Sequence, residues 1–237
     1  MIKKSFPVES DTETINIDQQ VYEQIKRAIF DHRLPPGTKL TEEKLSDLFA
    51  VSRERIRKVL QRLSYDKCVS LKPNRGAYVA QPSVQEARDV FATRGLIESH
   101  IVELVVQNAT EADYAHLEQN IAREYAAHQQ GRLNEAIALS GEFHLLLAEI
   151  SRNIVLLDIL RDLVARSSLI IAMYGRQSFS LCGYEDHQVF LKRLKTRQVQ
   201  QAKKLMQEHL RTLEAQLYFE ARSARDIDLT EVFKPKA

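Results

Sequence analysis

Three histidines are spaced so that they could act together. His144 shares a helical stripe with Ile137, Ser140 and Leu147, His187 opens a stripe with Phe190, Leu191 and Leu194, and His209 lies among Ala202, Leu205, Met206 and Leu213. A single histidine on an apolar face is usually a hydrogen-bonded core residue. Three on three helices invite convergence on one centre. Imidazole nitrogens suit Zn²⁺, Ni²⁺ and related ions, with Zn–N about 2.0–2.1 Å. Two chemistries follow: one divalent metal (Zn or Ni) held by His144, His187 and His209, or a metal-free pocket in which the rings meet an anionic ligand. Arg94 joins them. It follows Val90 and Phe91 on a core-facing stripe, where a guanidinium needs an anionic partner. Glu98 at i+4 is one; a carboxylate ligand is the other. His32, His100, His116 and His128 fit no such site and read as surface or helix-end residues. Tyr174 and Arg176 are further candidates for lining a pocket.

A second constellation is basic. The segment VSRERIRKVLQRL (51–63) carries Arg53, Arg55, Arg57, Lys58 and Arg62 against Glu54 alone. The chain's net charge is only +2, yet residues 51–75 hold eight basic and two acidic side chains. A local basic patch on a nearly neutral chain points to one anionic partner at one place. Arginine reaches guanine O6 and N7 bidentately and also clamps phosphate.

The elements that must position these residues can be read from the periodicity. An amphipathic helix begins near Asp18, with Val21, Ile25, Ala28 and Ile29 on one face. LPPGTKL (34–40) breaks it. Thr41 is placed to cap a second helix carrying Leu45, Leu48 and Phe49. Ser52 caps a third, whose stripe is Ile56, Val59, Leu60 and Leu63, and Arg62 reads as its solvated flank. CVSLKPNRGAYVA (68–80) reads as two strands around a turn. Three short helices and a hairpin make a winged helix-turn-helix, whose third helix enters the major groove. Lys72, Arg75 and Gly76 sit at the hairpin tip.

After QPS (81–83) the texture is helical to about residue 221. Stretches run near 84–107, 111–130, 134–151, 153–174, 184–195 and 197–221. Ser83 with Glu86 fits a capping box, and Thr110, Asn153 and Thr196 are further cap candidates. The fold expected is mainly α: an N-terminal winged helix-turn-helix and a C-terminal all-helical bundle of about six helices. The domains are a flexible 1–14, a DNA-binding 15–80, a linker at 81–83, a ligand-binding and dimerisation bundle at 84–221, and a polar tail at 222–237.

Composition narrows the class. The chain has 237 residues, is 44% hydrophobic and 28% charged, and has seven Gly and no Trp. That is a helix former's composition with enough apolar surface for a core. Two distant cysteines, Cys68 and Cys182, read as reduced thiols in a cytoplasm. The start lacks the apolar segment of a signal peptide, and no apolar run approaches a membrane span.

The motif LPPGTKL…LSDLFAVSRERIRKVLQRL…NRGAYV resembles the GntR family of bacterial transcription regulators over about 60 residues. The match rests on Pro36, Gly37, Leu40, Leu45, Val51, Ser52, Arg53, Ile56, Arg57, Leu60, Leu63, Arg75, Gly76 and Val79. The resemblance implies that Arg53 and Arg57 contact DNA and that Gly76 lets the wing approach it. Two departures bear on operator choice. Glu43, beside Lys44, stands where the family commonly has an arginine. Glu54, Arg55 and Lys58 replace the usual Thr, Pro and Glu. The DNA-binding set is therefore Lys44, Arg53, Arg55, Arg57, Lys58, Arg75 and Gly76.

The second half is similar to the FCD ligand-binding domain of the FadR branch, through RGLIE (94–98), EFH (142–144), SRN (151–153), EDH (185–187) and QEHL (207–210). That resemblance implies a metal site of one Asp and three His, and supports Arg94 as a carboxylate clamp. His144, His187 and His209 match the histidines, and Ser140 stands at the Asp position. The whole reads as a non-enzymatic, cytoplasmic, homodimeric regulator, a repressor in the first instance. It binds a near-palindromic double-stranded operator, makes no membrane contact, and senses a small carboxylate through Arg94, His144, His187 and His209. The rival functions are a metal-dependent hydrolase using the three histidines and a ligand-independent architectural DNA-binding dimer.

Overall fold

The computed structural model describes residues 10–31, 33–175, 182–219 and 227–233. The chain forms two compact units, Met1–Gln81 with Arg222–Ala237, and Pro82–Ala221. The expectations that rest on residues 1–9, on His32 and on Arg176 lie outside the described residues.

In the first unit α1 (Ser10–Phe30) starts earlier than the periodicity indicated and buries Val21, Tyr22, Ile25, Ala28 and Ile29. The strand β1 (Lys39–Leu40) precedes α2 (Glu42–Phe49), which anchors Leu45. Thr41 holds the N-cap position but makes no side-chain cap bond. Ala50 in the left-handed region (φ 51°) ends α2 and turns the chain toward α3 (Arg53–Tyr65). Ser52 caps α3 by accepting from the Arg55 amide at 3.4 Å, and Ile56, Val59, Leu60 and Leu63 hold it to the unit. Arg62 is not merely a solvated flank. Its guanidinium lies 4.0 Å from the Tyr22 ring centre and donates to Gln19 at 2.5 Å, tying α3 to α1.

The wing has three strands rather than two. β1 pairs antiparallel with β3 (Gly76–Val79), and β3 with β2 (Val69–Lys72), in the order β1-β3-β2. A two-residue strand carries too little pattern to be seen in sequence. Gly76 has φ +90°, a conformation that favours glycine, with open space around its α-carbon.

Among the described residues the second unit has six helices: α4 (Val84–Asn108), α5 (Glu111–Gln129), α6 (Leu133–Ile150), α7 (Ile154–Tyr174), α8 (Cys182–Lys195) and α9 (Val199–Ala215). Ser83 caps α4 through the Glu86 amide at 3.0 Å, while the Glu86 carboxylate turns to Arg166 at 3.2 Å, so only half of the box forms. Thr110 makes a full capping box with Asp113, and Asn153 accepts from the Leu156 amide. Thr196 is no cap. Its hydroxyl donates back to the Lys192 carbonyl, and Gln198 holds the N-cap position of α9. The core gathers Val102, Leu117, Phe143, Leu147, Leu160, Ile170 and Leu194. Among the described residues no helix is long and apolar enough to cross a membrane.

A further helix, α10 (Leu229–Phe233), falls in the stretch expected as a polar tail. It belongs to the first unit, where Leu229 is buried, Phe233 packs edge-on against Phe49 at 5.0 Å, and Arg33 donates to the Val232 carbonyl at 2.8 Å. One turn of helix is too short to show periodicity.

Candidate functional site

The bundle brings the three histidines together. His144 comes from α6, His187 from α8 and His209 from α9, and each offers a ring nitrogen, all within 4.8 Å of one another. All three rings are buried. Phe143 stacks on His187 at 4.0 Å and fixes its plane.

Each ring is held by a carboxylate at Nδ1. His144 pairs with Glu98 at 2.5 Å, His187 with Glu124 at 2.9 Å and His209 with Asp186 at 3.0 Å. The three Nε2 atoms are buried without a partner. Burial pushes His144 down to about 3 against the pull of Glu98, and burial and then the nearby His209 push His187 well below its ordinary value. Neutral rings that donate Nδ1–H to a carboxylate leave the Nε2 lone pair free. This is the arrangement by which a second shell orients metal-binding imidazoles, so the donor set fits a divalent ion.

Ser140 lies one turn before His144, half-buried, with its side chain hydrogen-bonded to Glu124. Burial raises Glu124 to about 7, against the lowering effect of His144 and His209. The carboxylate that the FCD resemblance implies at this turn is therefore replaced by a hydroxyl, leaving three imidazole nitrogens as the candidate donors.

Arg94 adjoins the cluster through Glu98. Its Nε donates to Glu98 at 2.7 Å and its Nη1 to Ser167 at 2.8 Å, while Nη2 has no partner although the side chain is buried. Burial raises Glu98, but Arg94 and His144 outweigh it and hold the carboxyl at about 2. The local ion pair and the ligand clamp are thus compatible readings: Arg94 is partly satisfied and keeps one free amino group. Of the other candidates, Tyr174 donates to the Pro82 carbonyl and packs on Phe219. His100 and His116 are exposed and His128 is half-buried in the last turn of α5.

Sequence reasoning paired Glu98 with Arg94 but did not find its second role at His144, nor Glu124 and Asp186 as ring acceptors. A signal for Glu124 existed. It interrupts the buried stripe Leu117, Ile121, Ala127 of α5 at helical spacing. Asp186 had none, because its position beside His187 gives no hint of contact with His209.

On the first unit, the exposed face of α3 is basic but not free. Arg53 pairs with Glu43 at 2.5 Å, Arg57 forks onto Glu42 at 2.9 and 3.2 Å, Arg55 meets Asp18 at 3.4 Å and Lys58 meets Glu54 at 3.2 Å. The hydrogen bond from Arg57 lowers Glu42 below its ordinary value. Lys44 and Arg75 are exposed, and Lys72 lies over the Tyr78 ring at 4.7 Å. Sequence reasoning marked Glu43 as a departure and missed that α2 reaches both Arg53 and Arg57.

Comparison with known proteins matches both units. Residues 17–79 fit the bacterial regulatory proteins of the gntR family, and residues 89–212 fit the FCD domain. Over 135 residues the chain is 30% identical to the HTH-type transcriptional repressor RspR of Escherichia coli K12, covering 57% of this chain and 59% of that protein. The match thus spans under two thirds of that relative's length. Over 201 residues it is 29% identical to the Uxu operon regulator of Haemophilus influenzae, covering 77% and 74%. The fold of E. coli McbR/YncC superposes with a TM-score of 0.66 at 20% identity, over 84% of this chain and 95% of that one. These are transcription regulators rather than enzymes. With a gntR-type DNA-binding domain followed by an FCD domain, the chain belongs to the GntR family of bacterial transcription regulators, in its FadR/FCD branch.

Proposed function

We propose that the protein is a homodimeric, effector-responsive repressor that acts in the cytoplasm on a near-palindromic operator. The winged helix-turn-helix presents Arg53, Arg55, Arg57 and Lys58 on the third helix, with Lys44, Arg75 and Gly76 at its margins. Two such heads in a dimer suit two half-sites. The bundle takes a small carboxylate at Arg94 and the three histidines.

The observation that carries the effector half is the set of buried, unpartnered donor atoms: three Nε2 lone pairs and the Arg94 Nη2 in one bundle core. Neutral imidazoles are good metal ligands and poor anion hosts, so the low pKa of His144 and His187 favours a divalent metal over direct anion binding. Such an ion would supply an open coordination position for an effector oxygen. Arg94 orients the carboxylate by charge, and Glu98, Glu124 and Asp186 hold the rings. With Ser140 in place of Asp, no carboxylate of that turn offsets the ion's charge, which strengthens its attraction for an anionic effector. Effector binding relieves repression by favouring one arrangement of the DNA-binding heads over another.

The test is metal analysis of tag-free protein, followed by binding to duplexes selected from a random pool, with and without small organic acids. About one zinc or nickel per chain and acid-dependent release of DNA are expected. Sub-stoichiometric metal after incubation with either ion would remove the metal half. Acid-insensitive binding would favour an architectural role.

A further inference from the structure

Asn120 has no role in the site described so far. It lies on α5, is 2% exposed, and neither its Oδ1 nor its Nδ2 has a partner. An amide buried with both halves unpaired is costly in an apolar core, and a leucine would fit the same stripe. Its neighbours place it. α5 and α6 run antiparallel: Ala127 clusters with Ala136 and Leu139, Glu124 bonds Ser140, and Arg123 pairs with Glu142 at 3.6 Å. One turn back from Glu124 on α5 therefore corresponds to one turn forward from Ser140 on α6, at His144. On the other side, α5 meets α8 through Glu124 with His187 and through the Tyr114 hydroxyl with the Leu194 carbonyl, and Asn120 falls between these levels. This register places the orphan amide at the level of His144 in the bundle.

We propose that Asn120 is a specificity-determining effector contact that reads a hydroxyl group, so that the effector is a small hydroxycarboxylate. This rests on the carboxylate-sensing reading. The amide offers an acceptor and a donor, and a hydroxyl, which both donates and accepts, satisfies both. Arg94 Nη2 meets the carboxylate. A buried site built to bond a hydroxyl rejects the analogue lacking it, because its own polar atoms are then left unpaired.

The experiment uses the full tag-free chain, wild type and Asn120→Leu, in thermal shift and calorimetric titration with three matched pairs: propanoate and lactate, succinate and malate, glutarate and 2-hydroxyglutarate. In the wild type, one hydroxylated acid is expected to bind at least about tenfold tighter than its deoxy partner. In Asn120→Leu that preference should fall below about threefold, with the deoxy acid bound as before and the unliganded protein melting at or above the wild type. Asn120→Ala repeats the affinity test should the leucine not fold. Equal binding of each pair by the wild type would overturn the role of Asn120 and leave the carboxylate reading standing. No response to any of the six acids would overturn both. A preserved preference in Asn120→Leu with a lowered melting temperature would make Asn120 a water-bridged structural amide, and would also overturn the proposal.

Discussion

Glu98 is buried and charged, and it serves two masters: Arg94 at one oxygen and His144 at the other. Removing Arg94 would strand that carboxylate in a low-dielectric core. Arg94→Met should therefore destabilise the bundle by about 3–5 kcal/mol in urea unfolding, and Glu98→Gln added to it should restore part of the loss. An Arg94→Met loss near zero would mean that Glu98 simply takes up a proton. The residue-scale logic of the DNA face is the reverse. Glu42 and Glu43 neutralise Arg57 and Arg53 at the surface, where ion pairs contribute little stability. Glu42→Gln should leave the melting temperature unchanged and tighten DNA binding several-fold, with a steeper salt dependence. Weaker binding would instead show that Glu42 holds Arg57 in its reading position. Arg57→Ala should cost about 1–3 kcal/mol on the selected operator, and less on random duplex, if it reads a base.

At the scale of elements, one close fit positions the histidine cluster and another holds the winged-helix unit. α6 approaches α7 at Gly141, where an added β-carbon would lie 2.9 Å from Val164 Cγ1 and 3.2 Å from Ser168 Oγ. This contact adjoins Ser140 and sets the height of His144. Gly141→Ala should lower bundle stability by about 1–3 kcal/mol and weaken the proposed metal uptake by shifting His144. Unchanged unfolding would mean that α7 gives way freely. The other fit is α10 on α2. Leu229 is 2% exposed, so Leu229→Ala should destabilise the winged-helix unit by about 2–5 kcal/mol, seen as an earlier melt of that unit with the bundle transition unmoved. A simultaneous shift of both transitions would contradict the assignment of α10 to the first unit.

For the whole molecule, the two units divide the charge. The first carries 19 basic and 14 acidic side chains, a net +5, and the second 15 and 18, a net −3. DNA affinity should therefore depend on salt through the first unit alone. Cys68 reports on that unit's integrity. Burial pushes its thiol from the ordinary 9.0 up to about 12, with Lys26 opposing. The folded state thus holds the proton more tightly. Its contribution to stability is complete below about pH 9 and fades as pH rises toward 12. At pH 8 alkylation of Cys68, followed by peptide mapping, should be at least tenfold slower in the native chain than in urea. Equal rates would show that the first unit opens freely.

The periodic apolar stripes of the long helices, the caps at Ser52, Ser83, Thr110 and Asn153, and the basic run on α3 were legible because each is set by neighbours within a turn or two. So was the histidine triad as a set of three core-facing rings on three helices. What only the tertiary structure decided were the contacts between distant elements: Glu124 and Asp186 on the rings, Glu42 and Glu43 on Arg57 and Arg53, α10 against α2, and the orphaned amide of Asn120. Local propensity and burial pattern are written along the chain, whereas the partner of a buried polar atom depends on how helices register across the core, which no spacing along one helix contains.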